Sequence, residues 1–187
     1  MTARLAALAA AALLTLPAYS QAPQRILTDR SQIRFAFKQM NVPLEGRFAR
    51  FDATVSFDPK RPEATKAEFE VDLGSIDLGS SEGETEAKRK PWLNIEAFPK
   101  ARFVASAVKP LGTGRFEATG PLTIKGNTQS ITAPFTLVEA SGGRTVEGSF
   151  TVKRLQFRIG DGPWADTDTV ADDVIVRFKF VIPSTPK

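Results

Sequence analysis

The chain has 187 residues, fourteen of them Phe, with no Cys, no His, one Tyr and a formal net charge of +4. That length supports one domain with a real core. The missing Cys excludes disulfides and thiolate sites, and the missing His removes the commonest general base and zinc ligand, so any catalysis would rest on Asp, Glu, Lys, Ser or Thr. The basic residues are scattered along the chain, so no nucleic-acid partner is expected.

Residues 1–22 read as a cleaved secretion signal. Arg4 begins it, Leu5 to Leu16 form an apolar run shorter than the ~20 residues that span a bilayer, and small residues after Pro17 allow cleavage after residue 20 or 22. The mature chain, 23–187, is expected to be a single exported domain without a transmembrane segment, located in a bacterial periplasm.

Alternation dominates the mature chain. Ile33, Phe35 and Phe37 open it. In "GRFARFDATVSFDP" (46–59) the three-residue step from Phe48 to Phe51 breaks the rhythm and predicts a β-bulge, with Phe57 packing at a closed end. Ala67, Phe69, Val71 and Leu73 alternate with Glu68, Glu70 and Asp72, a wet face to which no catalytic role is assigned. "SSEGETEAKRKPWLN" (80–94) predicts a short helix across a barrel end, with Ser81 and Glu84 as a capping box and Pro91 as its stop. Alternation resumes at Phe103, Ala105 and Ala107, then from Phe116 to Ile124, Ile131 to Leu137, Val146 to Val152 and Val174 to Ile182.

These runs make about eight antiparallel strands, each with one apolar and one largely polar face, an all-β pattern that a barrel or a sandwich satisfies. Large rings opposed by Ala and Gly either interdigitate or leave a slot, and an eight-stranded barrel is the size at which both outcomes occur. No nucleophile elbow, phosphate loop, dinucleotide fingerprint or zinc signature is present. "GDGPWADTDTVADD" (160–173) carries Asp161, Asp166, Asp168, Asp172 and Asp173 without calcium-loop spacing or a closing Glu. It reads as a solvated hairpin loop whose Trp164 is placed to seal a barrel end, and no metal is expected.

The order of motifs then carries more than any one of them. Gly46, Phe48 and Phe51 form G-x-F-x-x-F, with Phe57, Asp58 and Pro59 behind. "EVDLGSIDLG", "NIEAFPKARFVAS", "GPLTIKGNTQSITAPF" and "VKRLQFRIG" follow in turn. Over about residues 28–182 this resembles the YceI-like family of exported, lipocalin-like proteins. The resemblance implies an eight-stranded antiparallel lipocalin-like barrel with one short helix inserted between strands. It also implies a non-catalytic, often dimeric protein holding a long isoprenoid or similar amphiphilic lipid, of polyprenyl phosphate or isoprenoid quinone type, in a channel. That lipid is a ligand, and no cofactor is expected.

On that reading the apolar channel candidates are Phe35, Phe37, Phe48, Phe51, Phe69, Phe103, Phe116 and Ile124, with Trp92 and Phe98 closing an end. Arg47, Arg50, Lys125 and Arg158 are candidates for the lipid head group. The chain departs from the family pattern at Lys125, where many relatives carry His, and at Gln156 and Arg158, where many carry Asp and Gly. Two other readings stand beside the carrier: an envelope stress or structural protein with a filled barrel, and an enzyme acting on a lipid inside it.

Overall fold

The structure, a computed structural model, describes residues 22–140 and 143–184; the expected leader lies outside them but for its last residue. Twelve strand segments are present: β1 (Gln24–Arg25), β2 (Gln32–Gln39), β3 (Val42–Phe48), β4 (Phe51–Ser56), β5 (Lys66–Asp72), β6 (Ile76–Asp77), β7 (Lys100–Val104), β8 (Ala107–Gly112), β9 (Arg115–Ile124), β10 (Asn127–Ala140), β11 (Gly143–Lys153) and β12 (Asp173–Ile182). They pair antiparallel in the order β1-β4-β5-β7-β9-β10-β11-β12-β2-β3-β6, with β8 also on β9. Only Ala49 and Arg50 separate β3 from β4, and only Leu73–Ser75 separate β5 from β6. The two ends of the order are therefore the same two chain stretches, and the sheet closes on itself. Counting continuous stretches, the barrel has the eight long strands that the alternation predicts.

The step from Phe48 to Phe51 is a corner rather than a bulge. Phe48 pairs with Ile33 and Ile76, whereas Phe51 pairs with Val71. Between them the Ala49 N–H donates to the Ser75 carbonyl (3.0 Å) and the Arg50 N–H to Ser75 Oγ (2.9 Å). The partner strand bends at the same level, where Asp72 N–H donates back to the Arg50 carbonyl (3.0 Å). Two strands turn together, and both rings stay on the interior packing.

A true bulge lies elsewhere. Phe103 stands opposite Leu122 and Ala107 opposite Thr119, so three intervening residues of one strand face two of the other. The slip moves Val108, not Ala107, into the core, which corrects the alternation expected through Ala107. Gly120 makes the bulge fit: a Cβ there would stand 1.9 Å from the Val104 carbonyl oxygen.

The helix α1 spans Ser81–Lys88, shorter than 80–94. Its cap is Ser80, whose Oγ accepts from Gly83 N–H (3.3 Å), while Glu84 reaches back to Leu78 N–H (3.3 Å). The helix ends at Arg89, before Pro91, because the chain folds into a tight run there: Leu93 N–H donates to the Ala87 carbonyl and Asn94 N–H to the Arg89 carbonyl.

The acidic face of β5 is the outer wall. Glu68 pairs with Arg102 (2.6 Å) and Glu70 with Lys100 (2.9 Å), diagonal pairs of half-exposed groups that set the face of the sheet more than its stability. One end of the barrel is closed by rings: Phe57 lies edge-on to Phe116 (5.3 Å), which stacks on Phe135 (5.5 Å). The other end holds α1, the run after it and residues 154–172.

Candidate ligand-binding site

The interior is not filled. A cavity of about 570 Å³ runs along the barrel, within the range of small-molecule sites. The inward positions of one strand trace its length: Thr65, Ala67, Phe69, Val71 and Leu73 all line it. Eight residue steps at ~3.3 Å give a wall of roughly 26 Å measured along the tilted strand. The small residues are the local cause of the space. Ala67, Ala101, Ala105, Ala118 and Ala133 share the wall with the phenylalanines and leave a gap that branched side chains would occupy.

Of the apolar candidates, Phe35, Phe37, Phe48, Phe69, Trp92, Phe103 and Ile124 line this cavity. Phe51, Phe98 and Phe116 are outside its lining. Phe51 packs edge-on against Phe180 (6.2 Å), and Phe116 is buried between Phe57 and Phe135. Phe98 covers the β9–β10 turn, where a Cβ on Gly126 would meet its ring at 2.8 Å. Phe57 lines the end closed by rings. Gly46 shows why its motif needs a glycine: it pairs with Phe35, and a Cβ there would stand 2.4 Å from the Phe35 ring.

None of the four basic candidates lines the cavity. Arg47 and Arg50 lie on the outer wall, paired with Asp77 (2.7 Å) and Asp72 (2.8 Å). Their neighbours in sequence, Gly46 and Phe48, are the inward positions; a strand's two-residue period puts Arg47 out. Lys125 is buried and structural: its Nζ donates to the Pro91 carbonyl (3.0 Å), to the Arg158 carbonyl and to Asp161 (3.2 Å). Arg158 contributes that carbonyl while its side chain is exposed, at a left-handed turn with φ 55°. The departure at Lys125 thus ties the β9–β10 turn to the facing loop, while the Arg158 side chain takes no part in that contact.

The group that sequence reasoning missed is Arg154. It lines the cavity yet is only 1% exposed. Its Nε donates to the carbonyls of Val170 (3.2 Å) and Ala171 (3.1 Å), Nη1 to Ile159 (2.9 Å) and Gly160 (3.3 Å), and Nη2 to Val170 (2.6 Å) and Asp166 (3.3 Å). It also sits over the Trp92 ring at 5.8 Å. Burial pushes its pKa down, opposed by the charges of Asp172 and Asp166, and a guanidinium keeps its proton regardless. Gly160 (φ 80°) makes room for it, since a Cβ there would lie 2.3 Å from Nη1. The signal was available in β11, where Val146, Gly148, Phe150 and Val152 set an inward parity that falls next on Arg154.

Arg154 gathers the acidic loop into a cap. Asp166 accepts from Asp168 N–H (3.0 Å) and Thr169 Oγ1 (2.8 Å), and Asp172 accepts from Leu155 N–H (2.9 Å). These carboxylates order the loop from within rather than leaving it a solvated hairpin. Trp164 of the same loop lies 5.4 Å from Trp92, and both line the cavity. Among the described residues no group of three acidic side chains is placed to hold a metal ion.

Comparison with known proteins agrees with this architecture. The YceI-like domain profile matches residues 25–182. The UPF0312 protein of Pseudomonas savastanoi pv. phaseolicola is 32% identical over 131 residues, 66% of this chain and 68% of that protein. The crystal structure of Burkholderia cenocepacia BcnA is 37% identical, with a TM-score of 0.82 over 86% of this chain and 99% of that one. A polyisoprenoid-binding domain from Saccharophagus degradans, implicated in plant cell wall breakdown, has a TM-score of 0.70 over 88% of this chain and 99% of its own; at 14% identity that likeness speaks to the fold alone. A profile match over almost all the described residues, carried by a closed barrel with an inserted helix, shows that the chain belongs to the YceI-like family.

Proposed function

We propose that the mature chain is an exported, non-catalytic carrier of a long isoprenoid or similar amphiphilic lipid, held lengthwise in the barrel and working in the periplasm. The observation that carries this reading is the continuous apolar cavity of about 570 Å³. Each chain methylene moved into it contributes about 0.8 kcal/mol, so a long tail gains affinity from contact alone. The charged groups in its lining support binding over chemistry. Arg154 is saturated by carbonyls, Arg102 is paired with Glu68, and the carboxylates of Glu82 and Glu86 sit on the half-exposed helix α1. The Saccharophagus degradans neighbour, a polyisoprenoid-binding domain, shows that the same barrel fold serves such a ligand in another protein.

Both tryptophans of the chain line the cavity, which supplies the assay. Delipidated mature protein titrated with an isoprenoid quinone should lose tryptophan fluorescence saturably, and a polyprenol should compete the quinone off. Absence of saturable quenching and of polyprenol uptake would overturn the carrier reading in favour of a structural barrel.

A further inference from the structure

A helix laid over an apolar cavity ordinarily turns an apolar stripe toward it. The stripe of α1 that lines this cavity is Glu82, Gly83, Glu86 and Ala87. Glu82 is exposed while lining the cavity, so it stands where the cavity meets solvent. Glu86 also pairs with Arg89 (3.0 Å), whereas no described residue bonds Glu82. The cations nearby offer little to a negative head. Every N–H group of Arg154 used in the site goes to main-chain carbonyls, Lys125 is committed to Pro91, Arg158 and Asp161, and Lys88 lies outside the lining. The first-turn N–H of Gly83 is taken by Ser80. The remaining polar lining near the mouth is Gln39 and the two tryptophans.

Resting on the carrier reading, we propose that Glu82 and Glu86 sort ligands by head-group charge: the channel admits isoprenoid chains with neutral or cationic heads and turns away phosphate-headed ones. A phosphate drawn to this mouth meets carboxylates, and the cations of the lining, Arg102 and Arg154, are committed to Glu68 and to main-chain carbonyls. A neutral oxygen or an ammonium meets acceptors.

The test uses three probes with one tail: farnesol, farnesyl phosphate and farnesylamine, titrated into delipidated mature protein. Affinity should fall in the order amine, alcohol, phosphate, with the phosphate about tenfold or more weaker than the alcohol at low salt. Raising the salt should narrow that gap, because the carboxylates are at the surface. In Glu82→Gln/Glu86→Gln the phosphate-to-alcohol affinity ratio should rise about tenfold, while Glu63→Gln, at the other end of the barrel, leaves the ratio where it was. The salt series on the unaltered protein keeps the idea testable if the double variant folds poorly. A phosphate bound as well as the alcohol, or a ratio unmoved by salt and by the double variant, overturns the charge filter while the carrier reading stands. No uptake of any of the three overturns both.

Discussion

Ala118→Phe separates a real channel from a loosely packed core. Ala118 lines the cavity, one inward step along β9 from the ring cluster at the closed end, and pairs with Ala133 on one side and Val108 on the other. In a filled barrel the added ring would overpack the core and cost about 1–3 kcal/mol. In a barrel with about 570 Å³ of space the ring has somewhere to go. Its burial offsets the lost freedom, so folding stability should shift by less than ~1 kcal/mol. The ligand bears the loss instead. A six-carbon ring displaces about six chain carbons at about 0.8 kcal/mol each, roughly 5 kcal/mol or three to four decades in affinity for a long chain. Urea unfolding of the delipidated variant and tryptophan quenching by an isoprenoid quinone read the two quantities separately. A variant destabilised by several kcal/mol that still takes up quinone normally would show a filled core rather than a channel.

Three further outcomes follow from the same geometry. Arg154→Leu leaves the carbonyls of Ile159, Gly160, Asp166, Val170 and Ala171 without their donor and should cost about 3–5 kcal/mol in urea unfolding, some of them being reached by water. An unchanged midpoint would show that the loop does not depend on it. Gly120→Ala drives a Cβ into the Val104 carbonyl and should cost about 2 kcal/mol or more by the same measurement, because neither backbone can yield without undoing the bulge. For pH, Asp77 is held low chiefly by the Arg47 hydrogen bond, Glu68 by that of Arg102, and Asp166 by the Asp168 N–H. A lowered folded pKa stabilises above the unfolded value and is lost as pH falls through the folded one. Stability should therefore be level above about pH 5 and decline below it. A marked loss between pH 8 and 6 would contradict this, since the chain has no His to titrate there.

The barrel was legible in the sequence because each strand buries one face and wets the other, so a period of two reads directly as inside and outside. Phe35 and Phe37, Phe69 and Val71, and Leu122 and Ile124 all line the cavity from positions that alternation marks as apolar. The period misleads where the backbone leaves the pleat. Ala107 and Val108 exchange roles after the bulge at residues 104–106, a feature fixed by a carbonyl resting on Gly120 in another strand. Phe116 shares the periodicity of Leu122 yet packs between rings outside the cavity lining, a distinction that depends on depth along the barrel. The basic candidates lie outside the cavity lining for a related reason. Arg47, Arg50 and Lys125 are charges near aromatic motifs, and each is paired with a group that only the fold brings near: Asp77, Asp72, and the carbonyls and Asp161 of the facing loop, while the Arg158 side chain points to solvent.

If the barrel carries a lipid, the mass of the purified protein shows it directly. The mature protein, exported from a bacterial host and purified without detergent, should give a native mass spectrum with a discrete adduct. Organic extraction should release that adduct as a stoichiometric isoprenoid or comparable long-chain lipid, and the extracted protein should take it up again. A protein that flies at its polypeptide mass alone, yields no lipid on extraction and rebinds none would not be a lipid carrier.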